Sequence, residues 1–162
     1  MEPTPEWVFT VADHEAMGEA LAEAVRAAAE GEVPVGAVVL APNGEVLAKA
    51  HNRRESDLDP TAHAEVLALR RAAQRRNDWR LDGCTLVVTL EPCAMCAAAC
   101  VAARLACVVF GAADPTAGFV GSLGNLLDDP RLGFRVRWRS GLRAAEASAL
   151  LESFFANLRG HG

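Results

Sequence analysis

The run Thr85-Leu86-Val87-Val88-Thr89-Leu90-Glu91-Pro92-Cys93-Ala94-Met95-Cys96 decides how the chain folds. Its first half, taken back to Cys84, is apolar and β-branched enough for a central strand. Glu91-Pro92 ends that strand, and proline is well placed at a helix start. An alanine-rich helix is expected from about Cys93 to Arg104, and Ala106 to Phe110 reads as the next strand.

Upstream, Pro60-Thr61-Ala62-His63 leads into another helix, through Glu65, Val66 and Leu69 to about Arg76; Asp78 to Gly83 breaks it. Before it, Val33–Leu40 and Glu45–His51 flank Asn43-Gly44, a hairpin signal, and 52–59 is a polar loop. Thr10 to Asp13 fits a capping box and opens a first helix that runs to about Glu30, with Gly31 as its stop. Met17, Leu21 and Val25 are its expected buried stripe, and Glu15, Glu19 and Glu23 are expected on solvated faces. Downstream, Gly111–Pro130 reads as a long loop, Phe134–Trp138 as a last strand and Leu142 to about Leu158 as a final helix, with Leu150, Phe154 and Leu158 at helical spacing as its apolar stripe. Strands that alternate with helices after an initial hairpin predict an α/β fold: a three-layer α-β-α sandwich around a mixed, about five-stranded sheet. The length suits a single domain over 1–162, with residues 1–9 frayed.

Composition bounds the partners only loosely. The formal charge is −5, but residues 1–32 hold eight acids and one arginine, so the rest of the chain is slightly basic. Fifteen arginines stand against one lysine. Residues 1–12 lack the basic start and long apolar run of a secretory leader, and no apolar segment is long enough to span a bilayer without charge. The expectation is a cytoplasmic protein with no membrane partner, in which five cysteines stay reduced.

Two of those cysteines have metal-ligand spacing. Cys93 and Cys96 put two sulfurs on one face of a helical turn, and His63 can add an imidazole. Three protein ligands leave a fourth tetrahedral position for water, the pattern of a catalytic zinc rather than a structural one. Both helix starts offer unsatisfied N–H groups and partial positive charge, which favour thiolates. Glu65 lies beside His63 and can move protons at that water. His63 and Glu65 are two residues apart and do not share a helical face, but side chains of a first turn tilt toward the N-terminus, so both can reach a site in front of it. Cys84, Cys100 and Cys107 fall in element interiors and read as small buried residues.

His63-Ala64-Glu65 with Pro92-Cys93-Ala94-Met95-Cys96 resembles the zinc-dependent cytidine/deoxycytidylate deaminase superfamily. Val33-Pro34-Val35-Gly36-Ala37-Val38-Val39, Asn52-Arg53, Asp59-Pro60-Thr61 and Val108-Val109-Phe110-Gly111-Ala112 extend the likeness to the bacterial tRNA-specific adenosine deaminases, from about residue 10 to 156. The resemblance implies a cytidine-deaminase-like fold, one Zn²⁺ per subunit on His63, Cys93 and Cys96, and hydrolytic deamination of the wobble adenosine of a tRNA anticodon to inosine by a zinc-activated water. It implies Glu65 as the catalytic proton carrier, Asn52 as a hydrogen-bond partner of the flipped base, and Asp114 as a contact to the nucleotide backbone. Val35 and Gly36 belong to the turn implied to line the pocket. It also implies a homodimer, for which the small side chains of 94–103 suit close packing. The chain departs from the pattern at Ala113, Pro115 and Phe119, where the loop becomes stiffer and more apolar.

The zinc motif does not separate this substrate from a free guanine, cytosine or nucleoside. A polynucleotide is favoured by the Gly111–Gly124 segment and by two arginine groups: 131, 135, 137, 139 and 143, and 70, 71, 75, 76 and 80. Their plainer reading is a solvated face in an arginine-biased protein. For Asn52, Asp114 and Gly36 the plainer readings are a strand-end cap, a turn residue and a packing glycine. A non-catalytic zinc-binding partner subunit is the third possibility, against which the retained Glu65 stands.

Overall fold

The computed structural model describes residues 2–161. The elements in order are α1 (Val11–Ala29), β1 (Gly36–Leu40), β2 (Val46–His51), α2 (Ala64–Arg76), β3 (Thr85–Leu90), α3 (Ala94–Ala102), β4 (Cys107–Ala112), β5 (Arg137–Ser140) and α4 (Ala144–His161). The strands form one five-stranded sheet in the order β2-β1-β3-β4-β5. β1 is antiparallel to β2 and β3, while β3, β4 and β5 run parallel. The mixed α/β sandwich expected from the sequence is the fold observed.

Alternation along the strands builds the layers. Leu86 and Val88 of β3, with Val108 and Phe110 of β4, join a core with Leu67 and Ala68 of α2 and Ala97, Cys100 and Val101 of α3. Val87, Cys107 and Val109 point the other way, onto Met17, Ala20 and Leu21 of α1, Leu142 and Ala147 of α4. Because both faces of β3 and β4 are covered, these strands are apolar along most of their length, which is why the sequence marks them.

Register decides where a site can form. Gly36 faces His51 across β1–β2, Ala37 faces Val88 across β1–β3, and Leu90 faces Ala112 across β3–β4. The start of β1 and the ends of β2, β3 and β4 therefore lie at one end of the sheet. Val35, Asn52, Glu91 and Asp114 are the residues just beyond, so strand pairing alone gathers them.

Several expectations are corrected. Val25 is 53% exposed, while Ala16, Met17, Ala20, Leu21, Ala24 and Ala27 are buried. Eight residues of helix advance by about 800°, so the i+8 position has drifted about 80° from the first. Glu23 is buried instead of solvated, and its carboxylate accepts from His51 Nδ1 at 2.7 Å. β1 starts at Gly36 and not at Val33, because Val35 N–H turns back to the Val33 carbonyl at 2.9 Å and Pro34 has no donor for a ladder. β5 is Arg137–Ser140 and not 134–138: Gly133 turns the chain with φ 73°, and Phe134 takes the Arg104 guanidinium over its ring at 5.1 Å. Leu158, expected on the apolar stripe of α4, is 54% exposed. The first segment is tied down from Thr4, whose N–H donates to the Ser140 carbonyl at 2.9 Å and whose Oγ1 accepts from Ser140 N–H at 2.8 Å.

The capping box stands as read: Thr10 Oγ1 accepts from Asp13 N–H, and the Asp13 carboxylate accepts from Thr10 N–H. Gly36 is a packing position. A Cβ there would overlap the Ala20 carbonyl oxygen and lie 2.8 Å from Ala24 N, so the glycine lets α1 sit directly on β1.

Candidate metal centre and catalytic cleft

His63 is the N-cap residue of α2, and Cys93 is the N-cap residue of α3. Both have extended backbone, so each side chain projects in front of its helix instead of along it. Neither uses its side chain to cap the helix, which leaves the ligand atoms free to converge. Cys96 lies in the first turn of α3 and is buried. His63 Nδ1 is 3.6 Å from Cys93 Sγ and 3.4 Å from Cys96 Sγ. The three ligand atoms all lie within 4.8 Å of one another.

These separations fit a metal. With Zn–S of about 2.3 Å and Zn–N of about 2.05 Å, the nitrogen–sulfur edge of a tetrahedron is about 3.5 Å. The proton chemistry fits as well. The Cys93 thiol is drawn down to about 4, first by the hydrogen bond from Cys96 and then by His63. Cys96 is pushed up by the same bond and by burial. Opposite shifts on two sulfurs that share a hydrogen bond suit a pair that would give up its proton to bind a divalent cation. Cys84, Cys100 and Cys107 are buried free thiols outside the cluster. Among the described residues no fourth protein ligand of the structural kind joins the group.

Glu65, second residue of α2, is buried at the same point. Burial pushes its carboxyl up from the ordinary value, while His63 and a hydrogen bond with Cys96 pull it back. A carboxyl desolvated beside a metal site takes and returns protons closer to neutrality than a surface one. The cluster opens into a cleft of about 200 Å³, lined by Val33, Val35, Asn52 and Arg54 on one side and by Leu90, Glu91, Asp114 and Ala117 on the other. That is smaller than the roughly 300–1,000 Å³ of sites for drug-sized ligands, and it suits one planar base with its attached chain outside.

The cleft brings together His63, Glu65, Cys93, Asn52, Val35 and Asp114. Gly36 lies behind the lining: its N–H donates to Thr89 Oγ1 at 3.2 Å and its Cα packs on α1. The Asn52 amide is oriented from both ends. Its Oδ1 accepts from Arg54 N–H at 3.2 Å, and its Nδ2 donates to the Val33 carbonyl at 3.3 Å. Asp114 Oδ1 accepts from the amides of Thr116 and Ala117 and from the Thr116 hydroxyl, so part of that carboxylate builds its own turn.

Two buried acids missed by the sequence reading brace the cleft. Glu32 accepts from Glu55 N–H at 3.0 Å and Ser56 N–H at 2.6 Å, which fixes the loop after Asn52. Glu91, read only as a strand terminator, accepts four hydrogen bonds from the loop after β4. The signal for each was an acid beside an apolar run with no basic residue nearby in sequence, which is too common to single out.

The arginine groups are largely engaged within the fold. Arg131 pairs with Asp129 at 2.7 Å, Arg139 with Asp13 at 3.0 Å and Arg143 with Glu146 at 2.7 Å. Arg75 pairs with Glu45, Arg71 donates to the Lys49 carbonyl, and Arg76 to that of Asp82. Arg54, which neither group contained, is the arginine that lines the cleft.

Comparison with known proteins adds four findings. Residues 10–112 match the model of the cytidine and deoxycytidylate deaminase zinc-binding region. A Bacillus subtilis (strain 168) protein named tRNA-specific adenosine deaminase is 48% identical over 143 residues, 88% of each chain. A solved structure from a study of A-to-I editing by tRNA:A34 deaminases at the wobble position superposes with a TM-score of 0.82 at 40% identity, over 85% of this chain and 99% of that one. A guanine deaminase from Nitrosomonas europaea shares the fold with a TM-score of 0.76 at 26% identity, over 88% of this chain and 84% of that one.

Proposed function

Because the chain belongs to the cytidine and deoxycytidylate deaminase family, we propose that it converts the wobble adenosine of a tRNA anticodon to inosine. The observation that carries the substrate is the extent of likeness. Among solved structures the chain shares 40% identity with a tRNA:A34 deaminase over nearly the whole of it, and 26% with a guanine deaminase of the same fold.

His63, Cys93 and Cys96 would hold zinc, which when bound supplies an activated water as nucleophile near neutral pH. Glu65 does the proton work. Its carboxylate takes a proton from the attacking water and delivers it to the ring nitrogen beside the reacting carbon. As the C6–N bond breaks, it takes the remaining proton from the new C6 hydroxyl and passes it to the departing amine. Adenosine and water become inosine and ammonia, with the new C6–O bond replacing C6–N. Asn52 hydrogen-bonds the base with whatever capacity Val33 and Arg54 leave free, and Val35 supplies an apolar wall. Asp114 meets the nucleotide backbone. Arg54, half-exposed at the mouth, offers a charge to the flanking phosphate. An anticodon-loop base is already partly unstacked, so little is spent in bringing it into so small a cleft.

The deciding experiment pairs two substrates. Inosine is expected in a tRNA bearing wobble adenosine, and ammonia release from free guanine or cytosine is expected to be slower by orders of magnitude. Efficient turnover of a free base, with that tRNA left untouched, sinks the substrate assignment.

The same reading carries a site of action and an assembly. A tRNA substrate implies the cytoplasm, and no helix among the described residues is long and apolar enough to cross a membrane. We also propose a homodimer. Ala99 and Ala102 of α3, with Ala103 just past its end, border an apolar groove with Val66 and Leu69 of α2 and the exposed Trp79, a surface a second copy can cover closely. Sedimentation equilibrium is expected to give twice the chain mass at micromolar concentration; a monomer throughout that range rules the dimer out.

A further inference from the structure

Glu91 is 2% exposed, and none of the ion pairs among the described residues includes it. A buried carboxylate without a cation has to be met by hydrogen-bond donors. Here all of them come from one loop. Oε1 accepts from Asp114 N–H at 2.9 Å and from the Ser122 hydroxyl; Oε2 accepts from Val120 and Ser122 N–H, each at 3.0 Å. An ionised carboxylate is an acceptor with about four lone-pair sites. The loop offers four donors, so the match in number and kind is complete.

The loop also closes on the backbone beside Glu91. Glu91 N–H donates to the Ala112 carbonyl at 2.8 Å, and Phe119 N–H donates to the Pro92 carbonyl at 2.9 Å. Gly118 lies against the carboxylate, where a Cβ would overlap both oxygens. The chain from Asp114 to Ser122 is therefore wrapped around one side chain two residues before the metal ligand Cys93. Its outer edge, at Asp114 and Ala117, is a wall of the cleft.

We propose that Glu91 is the positioning residue of this wall: its carboxylate sets where the 114–122 loop stands relative to Cys93, and so sets affinity for the nucleotides flanking the reacting base. It acts through the loop and does not touch the reacting atoms. This rests on the RNA-substrate reading given above. A glutamine at 91 keeps the size but presents an NH₂ group to donors, so it cannot hold the same four contacts.

The test uses Glu91→Gln and Gly118→Ala, which disturb the same contact from opposite sides. Zinc content, KM and kcat on a tRNA with wobble adenosine, and amide exchange are measured. Both variants are expected to keep one zinc per chain and a kcat within about twofold, with KM raised about tenfold or more. Exchange at the Asp114, Val120 and Ser122 amides should quicken at least about tenfold, with α2 unchanged. An unchanged KM in both variants, or a loss confined to kcat or to zinc, overturns the proposal. If Glu91→Gln does not fold, Ser122→Ala deletes one donor and is read by the same criteria. If the wild type itself leaves the tRNA untouched, the substrate reading fails, and exchange then decides: faster exchange supports the latch, and unchanged exchange removes it.

Discussion

Glu65→Gln is expected to lower the deamination rate by roughly 10²–10⁴-fold, the usual worth of a positioned acid–base group, with zinc content unchanged. Single-turnover conversion of adenosine to inosine and a metal analysis of the same preparation check both halves. The substitution preserves size in a buried position in the first turn of α2, so the packing around it is kept. What it removes is proton exchange at the one carboxyl that burial raises beside the metal ligands. Several proton movements pass through that group, so the rate is expected to fall further than binding does. Activity within about tenfold of the wild type would take Glu65 out of the chemistry.

Metal removal is the second large effect. Chelation, or Cys96→Ala, is expected to abolish activity and to lower the melting temperature. Free zinc at a thousand times its dissociation constant stabilises the folded state by about 4 kcal/mol. For a domain of this size each kcal/mol is worth about 2–4 °C, so the loss is roughly 8–16 °C. The cluster links the N-termini of α2 and α3, and without a cation its two sulfurs and imidazole are left packed against one another. Thermal scans with and without chelator measure the shift. A melting temperature that ignores chelation, in protein shown to have lost its zinc, would separate the metal from the stability of the fold.

Much of the site was legible because its chemistry is local in sequence. A Cys-x-x-Cys turn after a proline and an acid two residues after a histidine need only the geometry of a helix start, and both helices begin where the spacing places them. The buried strands were legible for a similar reason: burial on both faces leaves a mostly apolar run. The errors have one origin. Val25 and Leu158 were assigned by an ideal repeat that drifts over two turns, and Glu23 by its charge, without the His51 side chain that meets it from another strand. Glu32 and Glu91 escaped notice because nearly all their partners are backbone amides 23 to 31 residues away, and a backbone amide carries no residue name. Asn52 and Asp114 came from likeness to a family and not from spacing, and strand pairing is what explains their meeting.

The sheet register has a practical consequence at the end of the molecule away from the cleft. The β1–β2 turn exposes Pro42 and Asn43 and is held by its own hydrogen bonds, including Glu45 N–H to Asn43 Oδ1 at 3.0 Å. A five-residue strand, about 17 Å long, separates that turn from Val35 and the cleft mouth. A fluorophore or surface tether joined at Asn43 therefore leaves the substrate side open, and gives a handle for following a large RNA as it arrives and departs.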